Sequence, residues 1–149
     1  MEEHHFHLKA NWPGGRNSVG VIDAGKLKTE ISIPIEMDGP GVGTNPDEML
    51  LGAAATCYII TLAAMLERRQ IPVVSLTQES EGIVEVIKGV ITYKKIIHRP
   101  KVVLYKVCTN EQVVKVEQLA ERAEKSCMIS RAIQGNVEIG LEVHVEVEK

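Results

Sequence analysis

Residues 44–69 read TNPDEMLLGAAATCYIITLAAMLERR, and this stretch decides the fold. Asn45 is suited to cap a helix, Pro46 to occupy its first position, and Glu48 to complete a capping box. The run over residues 49–66 contains no charged side chain. Such a run is near the lower limit for a membrane span, but it is also typical of a core helix that is apolar all round. Because charged residues flank the run, we expect a core helix that ends near residue 69.

Segments on both sides of this helix follow recognisable patterns. The Gly-rich residues 39–43 predict a loop whose backbone can approach another segment closely. A second helix is expected over residues 111–125, opened by Asn110 as its cap, and a short one over residues 130–134. Alternating apolar residues predict strands over residues 4–10, 19–22, 30–36, 73–80, 89–97, 101–109 and 137–147.

No repeat, linker or low-complexity stretch interrupts these patterns. Residues 1–149 are therefore expected to form one α+β domain, with mostly antiparallel strands around the long central helix. His98, Arg99 and Pro100 fall between two predicted strands, and we expect them to form a solvated hairpin turn.

The composition restricts the class of partner. The chain of 149 residues has 17 Lys and Arg against 20 Asp and Glu, a net charge of −3. A nucleic-acid partner is excluded, because phosphate neutralisation needs a surplus of Lys and Arg. The first residues are polar and partly acidic, unlike a secretory signal, so a cytoplasmic location is expected. His5 and His7 share a strand face without carboxylate support, so we expect no metal there and no cofactor.

Three cysteines are too few for a disulfide scaffold. In a reducing cytoplasm a cysteine pair is more often catalytic, redox-active or metal-binding than structural. By residue type alone, Cys57 is a small buried hydrophobe in the apolar helix. Cys127 lies at a junction of two predicted helices, where Lys125 and Arg131 would favour the thiolate, or where it would simply pack under a turn. Cys108 is expected to fill the core or a sheet edge.

Two stretches resemble the signatures of the OsmC/Ohr family. Residues 44–57, TNPDEMLLGAAATC, are similar to the first signature: Asn-Pro-acid, an Ala-rich apolar stretch and the reactive cysteine. Residues 127–133, CMISRAI, resemble the second, in which a cysteine precedes a Ser-basic-Ala run. The two matches have the family's order and about its separation, and the surrounding strand pattern also fits. The resemblance therefore covers nearly the whole chain.

The resemblance implies an OsmC-like fold and an intertwined homodimer, with long central helices packed together and two active sites at the subunit interface. It implies that Cys57 is the peroxidatic nucleophile and that Cys127 resolves it. A thiolate that attacks the O–O bond of an organic hydroperoxide becomes a sulfenic acid, which a second thiol converts to a disulfide. An external dithiol would then restore both thiols by exchange.

A thiolate beside apolar residues needs a compensating cation, or its pKa rises. The resemblance implies an arginine from the amino-terminal region, held by an acid, and by position these are Arg16 and Asp47. By residue type alone, Arg16 is a solvated turn residue and Asp47 a first-turn acid that complements the helix dipole. The chain departs from the family pattern at Asp47, where Glu is more usual, and at Met128, where Pro is common.

Three functional interpretations follow. The leading one is a thiol-dependent peroxidase that reduces organic hydroperoxides. The second is an OsmC-like binding protein that holds a small apolar ligand in the interface pocket without turnover, and the third is a structural dimer with inert cysteines. A Cys57 thiol pKa well below ~8.5, the ordinary value, favours the first.

Overall fold

The computed structural model describes all 149 residues, which form two compact units, Met1–Met49 and Leu50–Lys149. The fold is α+β, as predicted. The first unit contains a three-stranded antiparallel sheet in the order β1, β2, β3. Its elements are β1 (Lys9–Asn11), β2 (Gly20–Ala24), β3 (Leu27–Ile31) and a 3-10 turn (Ile35–Met37).

Two strands of the first unit are shorter than the alternation predicted. The strand expected over residues 4–10 begins only at Lys9, where pairing with β2 starts. The strand expected over residues 30–36 ends at Ile31, because Pro34 has no N–H to donate to a neighbouring strand and precedes the 3-10 turn.

The Gly-rich loop approaches β3 closely, as predicted. Thr44 N donates a hydrogen bond to Glu30 O at 3.0 Å. A side chain at Gly43 would collide with the same carbonyl, and the φ of +69° also favours glycine there.

The helix predicted from residues 44–69 is α1, Pro46–Arg68. Its start is capped as expected, because Glu48 N donates to Asn45 Oδ1 at 2.9 Å. The next helix, α2, is capped by Thr109 and not by Asn110, since Thr109 and Gln112 form a complete capping box. The remaining elements are β4 (Val73–Ile87), β5 (Val90–Leu104), α2 (Asn110–Ser126), α3 (Met128–Ile133), β6 (Glu138–Leu141) and β7 (His144–Val147).

The sheet of the second unit is built on one long hairpin. β4 and β5 pair antiparallel over their whole length. The hairpin turns at Lys88 and Gly89, which both have positive φ (51° and 79°), as a two-residue turn requires. β6 and β7 both pair with β5 in parallel, so the sheet is mixed.

The prediction of a hairpin turn at residues 98–100 is wrong, because β5 continues through them. His98 pairs with Ser80, and Pro100 pairs with Gln78. On the other edge of β5, the pairing with β6 ends at His98 and the pairing with β7 begins at Lys101. Pro100 therefore lies in the gap between the two short strands, where its missing N–H breaks no ladder. The strand expected over residues 137–147 is divided in two at the same place.

The main core of the second unit joins α1, α2 and β5. Buried residues of α1 recur every four positions, so one face of the helix is covered. Each large aliphatic side chain buried there contributes about 1.5–3 kcal/mol. The buried members are Tyr58, Leu62 and Leu66 on α1, Val116, Leu119, Ala120 and Ala123 on α2, Val102 and Leu104 on β5, and Cys108.

Much of the apolar surface of α1 stays uncovered within the chain. By length and composition α1 could cross a membrane, and only 22% of its 18-residue apolar window is buried. Ile60, for example, is 67% exposed. A contiguous apolar surface of this kind is typical of a protein or membrane interaction site.

Candidate functional site

Cys57 lies on α1 of the second unit, where it is half-buried and reduced. Burial raises the pKa of its thiol, but hydrogen bonds lower the pKa by more than burial raises it. They come from the Cys127 thiol, from the backbone amides of Ile129 and Met128, and from Thr61. The net direction is downward, so the surroundings favour the Cys57 thiolate. Thr61 has the smallest effect of these groups. In the structure its hydroxyl donates to the Cys57 carbonyl at 2.7 Å.

Cys127 is fully buried at the junction of α2 and α3, as the sequence predicted. Its N–H donates to Ala123 O at 2.9 Å, and its carbonyl accepts from Arg131 N at 3.0 Å. Burial and the hydrogen bond to Cys57 raise the pKa of the Cys127 thiol, while the amide and the hydroxyl of Ser130 partly offset that rise. The surroundings of Cys127 therefore favour its neutral thiol.

The two cysteines are in hydrogen-bonding contact with each other. This contact lowers the pKa of the Cys57 thiol and raises that of the Cys127 thiol. The backbone explains the remaining donors, because the first N–H groups of a helix have no partner within it. In α3 these are the amides of Met128 and Ile129, and both reach the Cys57 sulfur.

A cavity of about 300 Å³ opens beside the cysteine pair. Ser130 connects the two features, since it contacts Cys127 and also lines the cavity. The lining is mostly polar and carries both signs of charge. It consists of Glu124, Lys125, Ser130, Arg131, Gln134, Gly135, Val137, Glu138 and Ile139. No group of three or more His, Cys, Asp or Glu side chains is arranged to hold a metal ion.

Arg16 and Asp47 belong to the first unit. The Arg16 guanidinium donates to Met37 O at 2.8 Å and to Asp38 O at 3.1 Å, so it binds the end of the 3-10 turn. Asp47 lies in the first turn of α1, where the capping contact with Asn45 is made by Glu48. The activating role of Arg16 and the orienting role of Asp47 stay predictions.

His98 is the residue of the second unit that the sequence analysis misjudged. It is fully buried and not a solvated hairpin tip, and its ring stacks on Tyr58 with centroids 4.9 Å apart. A signal for this was present, because His98 has the same strand parity as Ile96 and Val102, which are also fully buried. Arg99, on the opposite face, pairs with Glu81 at 2.9 Å. Cys108 is buried as expected, but it follows β5 and does not lie in a strand.

Comparison with known proteins gives a consistent result. Residues 39–142 match the family model described as OsmC-like protein. The uncharacterized protein YmaD of Bacillus subtilis is 66% identical over 147 residues, which covers 99% of this chain and 98% of that protein. An organic hydroperoxide resistance protein-like protein of Staphylococcus aureus is 26% identical over 148 residues, covering 95% of this chain and 96% of the relative.

A solved structure shares the fold. The organic hydroperoxide resistance protein OsmC of Legionella pneumophila superimposes with a TM-score of 0.76 at 23% identity, covering 97% of this chain and 99% of that one. The family resemblance of the two cysteine signatures is thereby confirmed, and the chain belongs to the OsmC-like protein family.

Proposed function

We propose that this protein is a cysteine-based peroxidase that reduces organic hydroperoxides to alcohols. One observation carries the proposal: the Cys57 thiol, whose pKa is lowered, is in hydrogen-bonding contact with the Cys127 thiol, whose pKa is raised. A peroxidatic cysteine must be deprotonated to attack, whereas a resolving cysteine must lie close enough to condense with the sulfenic acid. The hydroperoxide-resistance names of the relatives point in the same direction.

The reaction proceeds in three balanced steps. The Cys57 thiolate attacks the terminal oxygen of the hydroperoxide, the O–O bond breaks, and the leaving alkoxide takes a proton to become the alcohol. The Cys127 thiol then condenses with the Cys57 sulfenic acid, which forms a disulfide and releases water. An external dithiol reduces that disulfide by two exchanges and becomes a disulfide itself.

The apolar surroundings of Cys57 favour an organic hydroperoxide over hydrogen peroxide. Cys57 lies in a run of 18 residues without charge, and much of that surface is uncovered within the chain. An alkyl group gains from contact with such surface, and a small polar peroxide does not. The cavity lined by Ser130 offers a small dithiol a route to the neighbourhood of Cys127.

A second copy of the chain is the proposed partner of α1, because the exposed apolar face of that helix is suited to a homodimer. A cytoplasmic location is proposed with it, since the reductive step needs a pool of thiols.

The test is intact mass and free-thiol count after one equivalent of cumene hydroperoxide. We expect wild type to lose two thiols rapidly and to form a Cys57–Cys127 disulfide. Cys57→Ser should stay unmodified, Cys127→Ser should accumulate overoxidised Cys57, and the matched control Cys108→Ser should behave as wild type. Thiols that stay unchanged over minutes in wild type would contradict the peroxidase and favour a ligand-binding protein.

A further inference from the structure

A buried polar cluster lies beside α1 in the second unit. Gln78 and Ser80 extend from β4, and His98 extends from the facing position on β5. The His98 ring has no exposed surface, and it lies nearly parallel to the Tyr58 ring, at 8°. The proposed peroxidase chemistry uses none of these four side chains.

Hydrogen bonds connect the members of the cluster to each other and to α1. Gln78 Nε2 donates to Ala55 O at 3.2 Å and to Ser80 Oγ at 2.9 Å. His98 Nδ1 lies 2.7 Å from Ser80 Oγ and 3.4 Å from Gln78 Nε2. Burial lowers the pKa of His98, which favours the neutral imidazole. A flipped Gln78 amide would bring two carbonyl oxygens together at Ala55, which excludes the opposite orientation.

Two polar atoms of the cluster are buried without a partner. These are His98 Nε2 and Gln78 Oε1. Unpaired buried polar atoms lower the stability of a fold, so a cluster that contains two of them needs an explanation beyond packing.

The position of the cluster supplies one. Gln78 binds the carbonyl of Ala55 and His98 stacks on Tyr58, and these two residues of α1 flank Cys57. The Tyr58 hydroxyl donates to Ala120 O at 2.8 Å on α2, about two turns before Cys127. The cluster thus connects the sheet to both helices that carry the reactive cysteines.

We infer that Gln78, Ser80 and His98 are positioning residues that hold α1 against α2, so that the Cys57 sulfur stays in hydrogen-bonding reach of Cys127 and the α3 amides. This inference rests on the proposed function of the two cysteines. Hydrogen bonds weaken over a few tenths of an ångström, and catalytic groups must be held within roughly 0.5 Å. A small shift of α1 would therefore weaken the hydrogen bonds to the Cys57 sulfur.

The pKa of Cys57 provides the test, because a merely structural role would leave it unchanged. We would measure the rate of iodoacetamide alkylation of Cys57 against pH in the full chain, resolved by peptide mass spectrometry. Ser80→Ala removes the central hydroxyl, and His98→Phe keeps the ring stack but removes both nitrogens. In both variants we expect the apparent pKa of Cys57 to rise by about one unit. At pH values well below the pKa this lowers the thiolate fraction about tenfold.

Two conservative variants guard against simple loss of folding. Ser80→Thr retains the hydroxyl and should titrate as wild type. Ser75→Ala, the same substitution at an exposed position of β4, should also leave the Cys57 pKa unchanged. Folded Ser80→Ala and His98→Phe proteins with a wild-type Cys57 pKa would overturn the inference. A wild type that titrates as a thiolate but leaves cumene hydroperoxide intact would overturn the proposed function instead.

Discussion

Cys57 and Cys127 are the same residue type and are in contact with each other. Their surroundings nevertheless shift the pKa values of their thiols in opposite directions. Cys57 accepts hydrogen bonds from two backbone amides and a thiol, which lower the pKa of its thiol against the effect of burial. Cys127 is more deeply buried, and the hydrogen bond to Cys57 adds to the rise of its own pKa. The backbone amides at the start of α3 thus help to shift the pKa values of two contacting thiols in opposite directions.

Met128 permits a test of a single backbone donor. Proline has no N–H, and it is tolerated at the first position of a helix. Cys127 already has the extended ψ of 125° that a residue before proline requires. We therefore expect Met128→Pro to keep the fold but to raise the Cys57 pKa by about one unit, or about 1.4 kcal/mol.

The matched control is Met128→Ala, which changes the exposed side chain and keeps the amide. Alkylation of Cys57 against pH measures both variants. Equal pKa values in the proline and alanine variants would show that the Met128 amide contributes nothing to the thiolate.

At the scale of elements, residue patterns predict some boundaries and miss others for physical reasons. The helix over residues 44–69 is confirmed because its cap, its apolar run and its charged end all indicate the same element. The strand through His98 was missed, because a histidine, an arginine and a proline together favour a turn. Only pairing on both edges of β5 shows why Pro100 is tolerated.

The candidate site divides in the same way. The sequence identifies Cys57 and Cys127 through two signatures, and the structure brings them into contact. The amide donors of α3 could not be predicted, because every residue except proline has a backbone N–H and the residue type does not show which of them donates to the cysteine. The Gln78–Ser80–His98 cluster joins residues far apart along the chain, and its pairing depends on the register of β4 and β5.

The exposed apolar face of α1 leads to a prediction about the dimer interface. Ile60 is 67% exposed there, and a homodimer through α1 would bury it. We expect Ile60→Lys to convert the proposed dimer to a monomer, because a lysine ammonium is costly to bury without a partner. Sedimentation velocity measures the change. Val114→Lys is the matched control, since Val114 is an exposed valine on α2, and a dimer that survives Ile60→Lys would exclude α1 as the interface.

At the scale of the whole molecule, the buried imidazole of His98 links the free energy of unfolding to pH. Burial lowers the pKa of His98 in the folded chain, so the unfolded chain binds the proton more readily. Stability then rises with pH, is fully present above the unfolded pKa of about 6.5, and is lost as the pH falls below it. Between pH 7.5 and 5.5 this one group is therefore expected to lower the free energy of unfolding.

Urea unfolding of wild type and His98→Gln at these two pH values measures that contribution as a difference. The glutamine variant is less stable at pH 7.5 if the ring stack on Tyr58 matters, but its free energy of unfolding should fall less than that of wild type on acidification. His144→Gln replaces an exposed histidine that pairs with Glu146, and it should show no such gain. If wild type and His98→Gln lose the same free energy, the pKa of His98 is the same in the folded and the unfolded chain, and burial does not lower it.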